Sequence, residues 1–388
     1  MIQLRGMTWN HARGYDPLVA ATEQFKRLHP QVDISWDKRS LQAFGDFPLD
    51  QLVDDYDLMV IDHPHVGDAS AQGVLLALDK PERQAELDDM ARHTIGASHR
   101  SYEFVGRQWA LAIDAAAQVA CHRPDLLAQA PTRWDEVIAL AEQGRVLWPL
   151  KPVDAMASFF TLCANVGRSA ATSPAQLIDP EVGQRVLGAM RAVSRHLPQG
   201  CFADSPIDVL EKLSANQHQH AYCPLLFGYT NYSRDGFKPQ LIRFADIPAL
   251  GDKGPVGSML GGTGIAVSAR TRHADLALEF SYWLASGAVQ AGLYVQHSGQ
   301  PGHAAAWNDD EANRLCGDFF RNTRKTMDES WLRPRYPGFL LLADRGGNAV
   351  NAFVRGDLDQ SGALAELEAA YQDSQVTGAG VSDKGKAA

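Results

Sequence analysis

No apolar run in the 388 residues approaches the roughly 18 that a membrane span requires. A concentrated basic cluster is missing as well, and the formal charge is -10, so the Lys and Arg density needed to neutralise phosphates is not there. This argues against a nucleic-acid partner. The five cysteines, Cys121, Cys163, Cys201, Cys223 and Cys316, contain no CxxC pair, and an odd number cannot all pair within one chain. They read as buried thiols, with a single disulfide as the minor alternative. No basic segment followed by an apolar core precedes MIQLRGM, which already reads as a strand. Two expectations follow: a periplasmic protein whose leader was removed, or a protein working in the cytoplasm. HExxH, GxSxG, the P-loop and a GxGxxG in a strand-turn-helix setting are all missing, which counts against an enzyme. There is no internal repeat.

What is present is ample apolar material. The hydrophobic content of 45% supports large cores, and the length divides into two or three domains of roughly 150 residues each. The first hundred residues alternate strand and helix. After MIQLRGM, Asp16 can cap a helix that has Pro17 at its first position and Leu18, Ala21, Phe25 and Leu28 on one face. VDISW (32–36) reads as a strand, PLDQLVDD as a polar helix, and YDLMVID as a strand covered on both faces. LLALDK reads as an edge strand, a helix is expected near Pro124, and PTRWDEVIALAEQG as a helix capped by Thr132 and ended by Gly144. VLWPL reads as a strand before several helices. HAYCPLLFGYTNY, QLIRFADIP and SMLGGTGIAVS look extended, and Leu276, Ala277, Phe280, Trp283 and Leu284 mark a further helix. Residues 377–388 read as a flexible polar tail.

Two loops stand out. TWNHARGYD places Trp9, His11 and Arg13 after the first strand, and HPHVG places His63 and His65 behind Asp62 at the end of another. In an open α/β sheet, loops leaving the carboxyl ends of strands border the ligand crevice. Flat rings for stacking beside directed hydrogen-bonding groups are the mixture of a small-molecule site. His11, Asp62, His63 and His65 are also metal-ligand types, so a metallohydrolase is the enzymatic alternative.

Several stretches in order resemble the family 1 extracellular solute-binding proteins, the maltose-binding-protein-like receptors of ABC importers. They are YEFVGRQWALAIDAAAQVACHRPDLL, PTRWDEVIALAEQG, GPVGSMLGGTGIAVSARTRHADLALEFSYWLASGAVQAGLYVQHSGQPGHAAAW (254–307) and PRYPGFLLLADRGGNAVNAFVRGDLDQSGALAELEAAYQD. The Trp109-Ala110-Leu111-Ala112 stretch lacks the proline that the family carries at its crossing segment. The resemblance implies an α/β, two-lobed periplasmic-binding-protein-like fold (type II) with a hinge of two or three chain crossings. One lobe would take 1–112 and 262–310, the other 113–261 and 311–376.

On that fold Gly262 lies at a crossing and Asp114 beside it as a hydroxyl acceptor, while PLLFGYTNYSRDG supplies Phe227, Tyr229, Asn231 and Tyr232 from the second lobe. Trp148 reads as core or wall. Arg333 and Arg335 are either bracing or cleft residues. The resemblance implies a carbohydrate or polyol bound between the lobes, a monomer, no cofactor, and an ABC permease pair as partner. The other ligands left open are an organic acid, a phosphorylated solute, an amine, or ferric iron held by Tyr229 and Tyr232; a cytoplasmic sensor of the same fold is the remaining alternative.

Overall fold

The computed structural model describes residues 1–40, 49–216 and 219–385, with side chains described as far as residue 376. The chain runs through β1 (Ile2–Trp9), α1 (Ala12–Leu28), β2 (Val32–Arg39), β3 (Leu58–Asp62), α2 (His65–Gln72), α3 (Gln84–Arg92) and β4 (Leu111–Ala112). It continues through β5 (Ala116–His122), α4 (Trp134–Glu142), α5 (Pro152–Asn165), α6 (Pro180–Ser194), α7 (Pro206–Leu213), β6 (Tyr222–Phe227), β7 (Arg243–Ala245) and β8 (Leu260–Gly261). The last part is β9 (Thr263–Val267), α8 (Ala274–Ala285), several short helices, α9 (Phe339–Arg355) and α10 (Gln360–Gly385).

Two sheets organise these elements. The first has the order β2-β1-β3-β9-β4, with β1 parallel to β2 and β3, and β9 antiparallel to β3 and β4. The second has the order β8-β5-β6, with β7 also paired to β5, all antiparallel. The apolar run of β3 explains the first lobe: Leu58 and Val60 enter one core while Met59 and Ile61 enter another on the opposite face. Side chains alternate along a strand, so a run without polar gaps must be covered on both sides. The second lobe gathers one large core around Trp148, Phe159, Phe160, Leu225 and Phe244. The chain passes between the sheets at residues 113–115, from β4 to β5, and at Gly262, from β8 to β9.

Several local expectations need correction. Helix α1 begins at Ala12, not Pro17, because His11 Nδ1 accepts the Arg13 N–H and so caps the helix five residues earlier. PLDQLVDD, apart from Pro48, which lies outside the described residues, forms only a short 3₁₀ turn, Leu49–Gln51. LLALDK and VLWPL each make a single bridge, Leu75 to Ser268 and Val146 to Tyr222. Pro149 has no N–H with which to extend the second one. No helix starts at Pro124, and Arg133 rather than Thr132 takes the cap position of α4. The polar end expected as a loose tail continues α10 to Gly385, since each residue added to an existing helix gains a bond without a new nucleus; residues 386–388 lie outside the described residues. No described helix is long and apolar enough to cross a membrane.

Candidate functional site

At the first crossing, Asp114 and Thr263 exchange backbone hydrogen bonds of 3.0 Å in both directions, binding the two crossing segments together. Gly262 stands at φ +98°, and a Cβ there would sit 2.4 Å from the Asp114 carbonyl oxygen. Only glycine meets both conditions. Onto this hinge comes Arg13 from the first turn of α1. Its Nε donates to Asp114 Oδ2 at 2.7 Å, its Nη2 donates to Oδ1, and its Nη1 donates to the Gly228 carbonyl at 2.7 Å. One guanidinium therefore ties the first lobe, the hinge and the second lobe. Burial disfavours the Arg13 charge, but Asp114 more than compensates and the group stays ionised.

The turn after β6 closes the seam from the other side. The Tyr229 ring lies 4.7 Å from the Arg13 guanidinium, a cation–π distance, and 4.8 Å edge-on from the His11 ring. Burial first, and Arg13 second, lower His11 to a pKa of about 4, so the ring is neutral at pH 7. The Thr230 N–H donates to Gln300 Oε1 beside the hinge, and Arg234 donates to the Val295 carbonyl. Tyr232 donates to Glu211 Oε1 at 2.6 Å. Burial raises the Tyr229 phenol to about 12 and raises Tyr232 as well.

Asn231 lies in the same turn. It is fully buried, and neither Oδ1 nor Nδ2 has a hydrogen-bond partner among the described residues. Buried amides are nearly always satisfied, and leaving one unsatisfied costs ~1–3 kcal/mol. Asp154, in the first turn of α5, is also buried with an unpartnered Oδ2, and burial pushes its carboxyl up to about 7.

Further along the seam, Arg333 of the second lobe clamps Asp62 with Nη2 at 2.6 and 2.7 Å, and its Nε donates to His63 Nε2 at 2.9 Å. His63 Nδ1 lies 3.3 Å from Asp62 Oδ1. Burial pushes the Asp62 carboxyl up, but the Arg333 guanidinium outweighs it and the group ends below the usual carboxylate range. His63 falls well below its usual value, through burial and then Arg333, and stays neutral. Tyr102 donates to the carbonyls of Ile61 and Gly262, joining this cluster to the hinge. Arg335 donates through Nη1 to the carbonyls of Arg100, Ser101 and Glu103. Between the lobes here is a cavity of about 320 Å³ lined by Phe104, Ala171, Thr172, Trp331, Arg333 and Arg335, among others.

The structure thus draws His11, Arg13, Asp62, His63, Asp114, Tyr229, Asn231, Tyr232, Gly262 and Arg335 along one interlobe seam. Trp9 lies elsewhere: it is 3% exposed in the first lobe's core, with its ring against Gly14. His65 is buried as the first residue of α2, and Trp148 is core. Among the described residues, the His, Cys, Asp and Glu groups close enough to share a metal ion are Asp89, His93 and His303, a set that includes none of His11, Asp62, His63 or His65. Sequence reasoning missed Phe104, Trp331 and Asp154. The one available signal was WLRPRYPG, where a tryptophan stands two residues before Arg333.

No protein-family model matches the chain, and no curated protein matches it in sequence. Solved structures do match in fold. The maltose-bound MalE3 of T. maritima superposes with a TM-score of 0.82 at 15% identity, covering 97% of this chain and 100% of its own. The GacH receptor of Streptomyces glaucescens, solved unliganded and with acarbose, gives 0.78 at 16% identity over 96% and 98%. An ABC transporter solute-binding protein from Agrobacterium radiobacter in complex with ribitol gives 0.75 at 18% identity over 96% and 98%. The chain has the two-lobed α/β fold of the maltose-binding-protein-like solute-binding proteins of ABC transporters.

Proposed function

We propose that this protein binds a neutral carbohydrate or polyol between its lobes as the receptor component of an ABC importer. In this reading it works as a monomer outside the cytoplasm, passes its solute to a permease pair, and is a binding protein rather than an enzyme. The observation that carries the ligand class is the use of charge along the seam. Arg13 and Arg333 are each paired with a carboxylate, Asp114 and Asp62, and Arg335 turns its Nη1 to three backbone carbonyls. A guanidinium already paired with a carboxylate is a weaker anchor for an anionic ligand than a free one. Asn231 instead offers an uncharged donor and acceptor, the complement of a hydroxyl. Trp331 and Phe104, at the cavity between the lobes, add ring faces for the apolar side of a sugar. Fold neighbours crystallised with maltose, acarbose and ribitol support the same class.

The test is a melting-temperature screen of sugars, polyols, organic acids and sugar phosphates. A ligand selective for the folded form raises apparent stability by mass action. A rise with a neutral sugar or polyol, lost in Asn231→Ala, is expected. A rise confined to organic acids or phosphorylated solutes would overturn the reading.

A further inference from the structure

Cys121 on β5 and Cys223 on β6 are register partners in an antiparallel pair. Directly opposed residues of such a pair project from the same face with Cα atoms about 4.5–5.5 Å apart, within the roughly 4.4–6.8 Å that a disulfide spans. Both side chains are buried in the second lobe's core. Cys163 sits in α5, Cys201 in the short helix Gln199–Phe202, and Cys316 at the end of the helix Asp310–Leu315, none of them on this sheet. All five are buried thiols in this structure.

We infer that Cys121 and Cys223 are a disulfide-forming pair, oxidised when the chain folds in contact with a small disulfide such as oxidised glutathione. One thiolate attacks a sulfur of the external disulfide and releases one small thiol. The second attacks the protein sulfur of the mixed disulfide and releases the other. Two protein S–H groups become one S–S bond, and two electrons and two protons leave on the two small thiols. The bond closes a loop of about a hundred residues and clamps β5 to β6, the strand that leads into Tyr229 and Asn231. Both sulfurs are fully buried, and burial keeps Cys223 as a thiol well above its usual pKa, so the folded reduced protein reacts slowly and the bond forms before the sheet closes.

The test counts thiols after refolding the reduced full-length protein in a glutathione redox buffer, with alkylation in denaturant and mass spectrometry of the peptides. Three free thiols and a Cys121–Cys223 link are expected. Five free thiols, or a link between other cysteines such as Cys201 and Cys223, overturns the inference. A triple variant, C163S/C201S/C316S, should lose both remaining thiols, and keeping them contradicts the pairing. If refolding yields little protein, the native chain held with oxidised glutathione just below its melting temperature gives the same readout through local opening of the sheet.

Discussion

Trp9 packs its ring against the backbone of Gly14 so closely that a Cβ at Gly14 would meet the indole at 2.4 Å. Its ring is part of the first lobe's core. Trp9→Ala should lower unfolding free energy by ~3–5 kcal/mol, as large aromatic truncations in cores do, and urea denaturation of the unliganded protein measures it. Asp154 makes a different kind of prediction. Its folded pKa, raised by burial from 3.8 to about 7, means that folding favours the protonated form. That stabilising contribution is fully present below the unfolded value near 4 and is lost as pH rises through 7. Asp154→Asn removes this dependence. Its stability advantage over the parent protein should widen by about 2–3 kcal/mol between pH 5 and pH 8 in urea titrations, at 1.36 kcal/mol per unit of pKa shift. Equal curves at both pH values would place Asp154 in contact with water.

Helix α2 meets the other lobe closely. A Cβ at Gly67 would lie 1.9 Å from the carbonyl oxygen of Arg335, with the backbone of Pro337 at 3.2 Å. Gly67→Ala should leave each lobe's own packing intact but hold the seam apart, weakening solute affinity at least ~10-fold by shifting the population away from the closed state. Calorimetric titration checks this, and unchanged affinity would mean that the two segments do not separate. How far such elements can be read from sequence depends on the range of the forces involved. The β3 strand was legible because a continuous LMVI run has few other stable outcomes, and α8 because its apolar residues recur at helical spacing. The true start of α1 was not, since a histidine acting as N-cap competes with the stronger local signal of Asp16 and Pro17. The seam was legible only in part. Arg13 in the first turn of α1, and Asp62, Asp114 and Tyr229 at strand ends or in loops, are brought together by a two-lobed α/β fold, but the partner choice of Arg333, 271 residues from Asp62, is fixed by lobe docking. Asp154 left no local trace, because a carboxylate in a first helical turn is ordinary on an exposed surface.

For the molecule as a whole, the lobes meet through Arg13, Arg333, Arg335, Gln300 and Arg234, while the same closed seam leaves the Asn231 amide unsatisfied. These terms oppose one another, the first favouring closure and the second open, hydrated lobes. A solute that hydrogen-bonds Asn231 removes the opposing term, so binding and closure are coupled, and a ligand shifts the balance only by its differential affinity for the closed form. Ligand-free protein should therefore populate open forms that the solute depletes. Small-angle X-ray scattering tests this most directly, on the protein alone and with a saturating concentration of the sugar or polyol that raises its melting temperature. A smaller radius of gyration in the loaded protein is expected. An unchanged radius despite full occupancy would contradict a clasp that shuts on its guest.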